Sequence, residues 1–230
     1  MAMTHDIGAA TERVRERIAR ACERSGRDPG GVKLIAVSKG HPAEVIRAAY
    51  DLGMRVFGEN YAQELAAKAS ALSDLPDIQW RFIGHLQRNK IKLIEEGRAT
   101  VDTVDSVRLA EAISARAVAR ARDVEVLLQV NVGGESQKSG CAPTEVRQLV
   151  QAVRGLPNLV LRGLMTVAPE LDDVDAARPF FAALRELAEA HGLSELSMGM
   201  THDLEQAVEE GATMLRIGTA IFGPRPQVEP

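Results

Sequence analysis

Hydrophobic positions in this chain recur first at helical spacing and then in short, dense runs. In residues 6–30, "DIGAATERVRERIARACERSGRDPG", Ile7, Val14, Ile18 and Ala21 fall on one face and Arg and Glu on the other, before Gly26, Pro29 and Gly30. That pattern predicts a helix closed by a linker over residues 1–30. From residue 32 onward, apolar runs alternate with longer amphipathic ones. The runs at 32–39, 55–60, 78–86, 100–105, 124–132, 159–168, 195–200 and 213–223 read as strands. The stretches at 42–53, 62–72, 87–97, 106–122, 144–157, 177–192 and 203–211 read as helices. The run "VEVLLQVNV" (124–132) is nearly all apolar, as a strand covered on both faces should be. "TVDTVD" (100–105) alternates in polarity and is also compatible with a loop.

Strict alternation of strand and helix argues for a parallel sheet. Eight such units in ~200 residues fit a closed barrel better than an open doubly wound sheet. The expectation is therefore an α/β fold: a single (β/α)8 TIM barrel over residues 1–230, with an extra N-terminal helix and a polar, Pro-rich tail at 224–230. No GxGxxG follows the first strand and no GxxxxGK[ST] occurs, so dinucleotide and P-loop readings have no support.

Composition narrows the classes. The 230 residues are 45% hydrophobic and 26% charged, as in an ordinary soluble protein. A net charge of −4 offers no basic field for nucleic acid or an anionic membrane, and 3% aromatics is too few for base-stacking platforms. Cys22 and Cys141 stand far apart with no CxxC, which reads as two reduced thiols. No signal-peptide pattern and no apolar stretch of ~20 residues occurs, so a cytoplasmic protein is expected. The histidines show no metal-ligand spacing.

In a barrel of this kind chemistry sits at the C-terminal ends of the strands. Those ends carry Lys39, Glu59-Asn60, His85, Asn131, Met165-Thr166, Met200-Thr201 and Arg216-Ile217-Gly218-Thr219. The last two strand ends resemble an anion cup. Thr201 precedes a helix whose free N–H groups favour an anion, and Gly218 leaves backbone N–H groups approachable beside Thr219. The competing readings are an N-cap at Thr201 and a packing glycine at Gly218. Lys39 beside such a cup is either a counter-charge or, with a lowered proton affinity, an amine that forms a Schiff base with an aldehyde. Arg216 is expected to be the second cation that lowers it. A lysine, a phosphate cup and a group for a pyridine nitrogen are the parts pyridoxal 5′-phosphate requires.

These residues lie in motifs that resemble the pyridoxal 5′-phosphate homeostasis protein family, single-domain relatives of the alanine racemase barrel. The similarity runs in order through "LIAVSK", "FGENYAQE", "WRFIGHLQRNK", "VDSVRLA", "QVNVGGESQKSG", "GLMTVAP" and "LSMGMTHDLEQAVEEGATMLRIGTAIFGPR". The resemblance implies that Lys39 carries the cofactor as an internal aldimine and that Arg216 faces the pyridine nitrogen. It implies that Thr201, Gly218 and Thr219 hold the phosphate, and that Ser197, Met200 and Asn60 line the site. Relatives often have serine at the Thr201 position, and the hydroxyl is kept. Gly40 stands where longer residues are frequent, and is expected to loosen the loop next to Lys39.

The resemblance further implies a cofactor carrier and regulator in vitamin B6 and amino-acid balance, without established catalysis, that hands the cofactor to apo-enzymes. The alternative is an amino-acid racemase or decarboxylase of the same barrel. Racemases of that type take a second acid/base, commonly tyrosine, from an added β-domain; here only Tyr50, read as core, and Tyr61 are present. The missing second domain and the small size favour a monomer.

Overall fold

The structure, a computed structural model, describes residues 6–225. Residues 1–5 of the expected N-terminal segment, and the expected tail from 226 on, lie outside the described residues. Helix α1 (Ile7–Ser25) comes first. The strands are β1 (Lys33–Val37), β2 (Val56–Glu59), β3 (Gln79–Phe82), β4 (Thr100–Val104), β5 (Val124–Gln129), β6 (Leu159–Met165), β7 (Glu195–Ser197) and β8 (Met214–Ile217). Between them run α2 (Ala43–Asp51), α3 (Ala62–Ala71), α4 (Ile91–Glu96), α5 (Val107–Ala119), α6 (Val146–Arg154), α7 (Arg178–Ala190) and α8 (Leu204–Glu209), and α9 (Thr219–Phe222) follows β8. Each strand pairs in parallel with its chain neighbour and β1 pairs with β8, which closes the barrel.

Side chains alternate across each strand. Ala36, Phe57, Trp80, Val126, Leu164 and Leu215 face outward into the core under the helices. Ile35, Leu127, Met165 and Met214 form a separate small cluster inside the barrel. The rest of that interior is polar. Arg81 on β3 and Asp102 on β4, 4% and 0% exposed, make a two-bond fork at 2.9 and 2.8 Å.

That fork explains the alternating polarity of β4, which is a strand and not a loop. A register shift between Val101 and Val104 lets both join the outer core. The run at 213–223 is not one strand. It ends at Ile217, and Ile221 and Phe222 donate their N–H groups to the Gly218 carbonyl in the turn of α9. A short apolar run cannot be assigned by periodicity alone. Here Ile221 and Phe222 are buried where α9 meets α1.

Helix α1 also packs on α8. Arg17 makes a fork to Glu205 at 2.6 and 2.7 Å, and Arg24 pairs with Glu209 at 2.6 Å. The N-terminal helix thus braces the two helices that follow β7 and β8.

Candidate functional site at the C-terminal rim

Lys39 lies two residues past the end of β1. The Ser38 hydroxyl donates to Glu59 Oε1 at 2.6 Å, and the Gly40 N–H donates to Glu64 Oε1 at 2.6 Å. Gly40 has φ +75°, a conformation that glycine adopts without steric cost. Its N–H is thus tied to α3, a bond that the expected loosening of the loop does not include. The Lys39 side chain is half-buried. Burial, then the charge of Arg225, pull its amine below the usual lysine value of 10.5, and Glu59 opposes them. The cation acting on Lys39 is thus Arg225, in the segment read as tail, and not Arg216.

Arg216 is 5% exposed and turns into the barrel. It donates from Nη1 to Ser197 Oγ at 2.9 Å and from Nη2 to the Thr166 carbonyl at 2.6 Å. Burial lowers its proton affinity to about 10, against the opposing charges of Asp102 and Asp203. At neutral pH it remains a guanidinium, which donates hydrogen bonds and accepts none.

Thr201 is not the N-cap of α8. Asp203 holds that position, and its carboxylate accepts the Met200 N–H at 2.6 Å. An Asp just before a helix is itself a cap signal in the sequence. Among the described residues the Thr201 hydroxyl takes no hydrogen-bond partner. Thr219, exposed, opens α9, whose first N–H groups have no acceptor within the helix. A Cβ at Gly218 would sit 3.2 Å from the Val37 carbonyl oxygen, so this glycine also serves the close approach of β8 to β1.

Asn60 follows β2 and lines a cavity of ≈ 190 Å³ with Ile83, Gly84, His85, Gln129 and Asn131. Its Oδ1 is buried and has no hydrogen-bond partner. Met200 lines an adjoining cavity of ≈ 600 Å³ with Lys138, Val167, His202 and Asp203. Asn60, Lys39, Gly218-Thr219 and Met200-Thr201 thus follow β2, β1, β8 and β7, four adjacent strands of the ring. Ser197 and Arg216 lie just beneath this arc.

The family model described as "Alanine racemase, N-terminal domain" matches residues 10–226. A Pseudomonas aeruginosa protein named "Pyridoxal phosphate homeostasis protein" is 48% identical over 215 residues, 93% of each chain. One of the same name in Aquifex aeolicus is 45% identical over 219 residues, 93% of this chain and 96% of its own. The chain belongs to the pyridoxal phosphate homeostasis protein family. A solved structure of PipY of Synechococcus elongatus, described as having PLP bound, superposes with TM-score 0.78 at 39% identity, over 91% of this chain and all (100%) of that one.

For a member of the pyridoxal phosphate homeostasis family, the rim has the donors and acceptors the cofactor calls for. It holds an amine of lowered proton affinity, a fixed guanidinium, the Thr201 hydroxyl and a buried acceptor that lacks a donor. Tyr50 lies elsewhere. It is partly buried at the edge of the main core, its hydroxyl bonds Asp77, and Arg55 stacks on its ring, away from the rim.

Proposed function

We propose that this protein binds pyridoxal 5′-phosphate at the C-terminal rim as a Schiff base on Lys39, and serves as a cofactor carrier and regulator. The observation that carries the reading is Lys39 itself: a half-buried amine of lowered proton affinity at the end of β1, beside the end of β8. The bound group would supply an aldehyde, which a neutral amine converts to a C=N link with release of water, and a ring able to take up electron density. Burial and Arg225 make the neutral form of Lys39 accessible. Arg216 is held by Ser197 and the Thr166 carbonyl, and as a guanidinium it would offer the pyridine nitrogen a donor and no acceptor, which would favour the unprotonated ring. The ring is then a weaker electron sink than one paired with a carboxylate, which suits carriage more than carbanion chemistry. Thr201, Gly218 and Thr219 hold the phosphate through hydroxyls and backbone N–H groups. Asn60 and Met200 line the flanks.

The racemase or decarboxylase reading needs a second acid/base over the rim. Tyr61, 60% exposed at the start of α3, is the tyrosine next to it. An exposed phenol in an open mouth gives little protection from water. The carrier reading includes delivery to apo-enzymes by a monomeric, cytoplasmic protein. Among the described residues no helix is long and apolar enough to cross a membrane.

Borohydride reduction of the loaded protein, followed by peptide mapping, tests the attachment. The cofactor mass is expected on the Lys39 peptide and absent from Lys39→Ala. An adduct that survives in Lys39→Ala overturns it. Turnover of any amino acid near the 1–10³ s⁻¹ of ordinary enzymes overturns the carrier reading. Transfer of bound cofactor to an apo-enzyme faster than free release supports it.

A further inference from the structure

A second lysine lies beneath Lys39. Lys68, on α3, is 5% exposed, although helix-face lysines are ordinarily solvated. An ammonium has three N–H donors, and Lys68 uses one on each of three acceptors: the Ser38 carbonyl at 2.7 Å, Glu59 Oε1 at 2.6 Å and Glu64 Oε1 at 2.7 Å. The same two carboxylates grip the chain on either side of Lys39. Glu59 accepts the Ser38 hydroxyl and Glu64 accepts the Gly40 N–H. The Ser38 N–H adds a bond to the Gly58 carbonyl at 3.0 Å. Residues 38 and 40 are thus tied to β2 and α3, directly through the Gly58 carbonyl and otherwise through the two carboxylates and the ammonium that joins them.

We propose that Lys68, with Glu59 and Glu64, is a positioning cluster that fixes residues 38–40 so that the Lys39 amine is presented to an aldehyde, while Lys68 itself is not a nucleophile. The inference rests on the reading of Lys39 as the attachment residue. Geometry gives the reason. Lys39 hangs on a long, flexible stem, and the cluster restrains where that stem begins. With all three donors engaged, Lys68 offers no lone pair unless a bond is broken. Glu59 is fully buried and its Oε2 has no partner, so its charge is balanced on the Oε1 side by Lys68 and also acts on Lys39. The charged groups around Lys39 are thus Glu59 from β2, Glu64 and Lys68 from α3, and Arg225; His41, on its own loop, stacks on Phe222.

The test follows the rate at which the apo-protein captures pyridoxal 5′-phosphate, against pH, with borohydride mapping of the adduct. Lys68→Met should slow capture by about tenfold or more. It should also move the capture profile to lower pH: burial already holds Glu59 above the usual carboxylate range against the pull of Lys68, so without Lys68 it takes up a proton and no longer favours the charged form of Lys39. Leu65→Ala is the control: it is buried on the same helix, lowers the melting temperature and should leave rate and profile per folded molecule unchanged. If Lys68→Met does not fold, Glu64→Gln, at a partly exposed position, should slow capture without moving the adduct. Capture by the folded Lys68 or Glu64 variant at the parent's rate and pH overturns the proposal. So does an equal loss in Leu65→Ala, or an adduct on Lys68 in Lys39→Ala. A parent adduct found away from Lys39 would instead overturn the attachment reading.

Discussion

Removing Asp102 while leaving Arg81 should cost this barrel more than any other single polar change in its interior. The two side chains are 0% and 4% exposed and meet in a fork at 2.8 and 2.9 Å. Asp102→Ala leaves the buried Arg81 guanidinium without its carboxylate and within reach of the like charge of Arg216, and breaking one side of a buried pair costs about 3–5 kcal/mol. For a chain of this size each kcal/mol moves the melting temperature by about 2–4 °C, so a fall of roughly 6–20 °C is expected. The double variant Arg81→Met/Asp102→Leu should behave differently. Burial holds the Asp102 carboxyl above its usual value despite the pull of Arg81, so the attraction does not fully offset the desolvation. Replacing both partners with apolar residues of similar volume should therefore recover most of the loss, and such swaps are often neutral or stabilising. Urea unfolding monitored by circular dichroism, with calorimetry alongside, measures both. A single variant within about 1 kcal/mol of the parent, or a double variant as unstable as the sum of the two singles, would refute the reasoning.

Other outcomes follow from the same geometry. Arg225→Gln removes a charge that lowers the Lys39 proton affinity, so the amine should stay protonated to higher pH and the cofactor-capture profile should shift upward; a downward shift contradicts it. Burial raises the Cys22 thiol and pushes Cys141 up to about 12, so neither should be alkylated in the native protein at pH 8, whereas both should react once it is unfolded. A Cβ at Gly84 would stand 2.0 Å from the Asn60 carbonyl oxygen, so Gly84→Ala should cost at least about 1–3 kcal/mol. It should also weaken cofactor retention, because the displaced backbone carries Asn60. Gly31→Ala, where a Cβ meets nothing within 4 Å, should leave both unchanged.

The alternation of elements was readable because most of the strands are covered on both faces and so appear as dense apolar runs. The rim residues were readable for a related reason: once strands are counted, their C-terminal ends follow. β4 was the doubtful strand because its inner face carries Asp102, and nothing local announces that Arg81 waits one strand away. The end of β8 was misplaced because "TAIFG" is as apolar as a strand, although its burial comes from α1. Lys68 was unreadable. At its position in "AQELAAKASAL" it is an ordinary polar residue of a helix face, and only the fold brings Ser38 and Glu59 to its ammonium. Arg225 is hidden for the opposite reason: it stands in a Pro-rich segment with the composition of a tail, and only the fold brings its charge to Lys39.

The charges inside this barrel bear on how a cofactor would be held. Barrel interiors of this kind are ordinarily filled by branched apolar side chains. Here Arg81, Asp102, Ser197 and Arg216 occupy part of that space, each held by bonds at 2.6–2.9 Å. Side chains so tied have little freedom left to lose when a ligand arrives, so the floor is preorganised. The rim above is different: Lys39 is half-buried, Thr219 is exposed and Met200 is 38% exposed. A fixed floor sets the orientation of a bound ring, while an open rim contributes little enclosure. Retention would then depend chiefly on the link to Lys39, and that link depends on where residues 38–40 are held. On the proposed attachment to Lys39, the Lys68 cluster would govern how readily the cofactor is taken up, and the openness of the rim how readily it is given away.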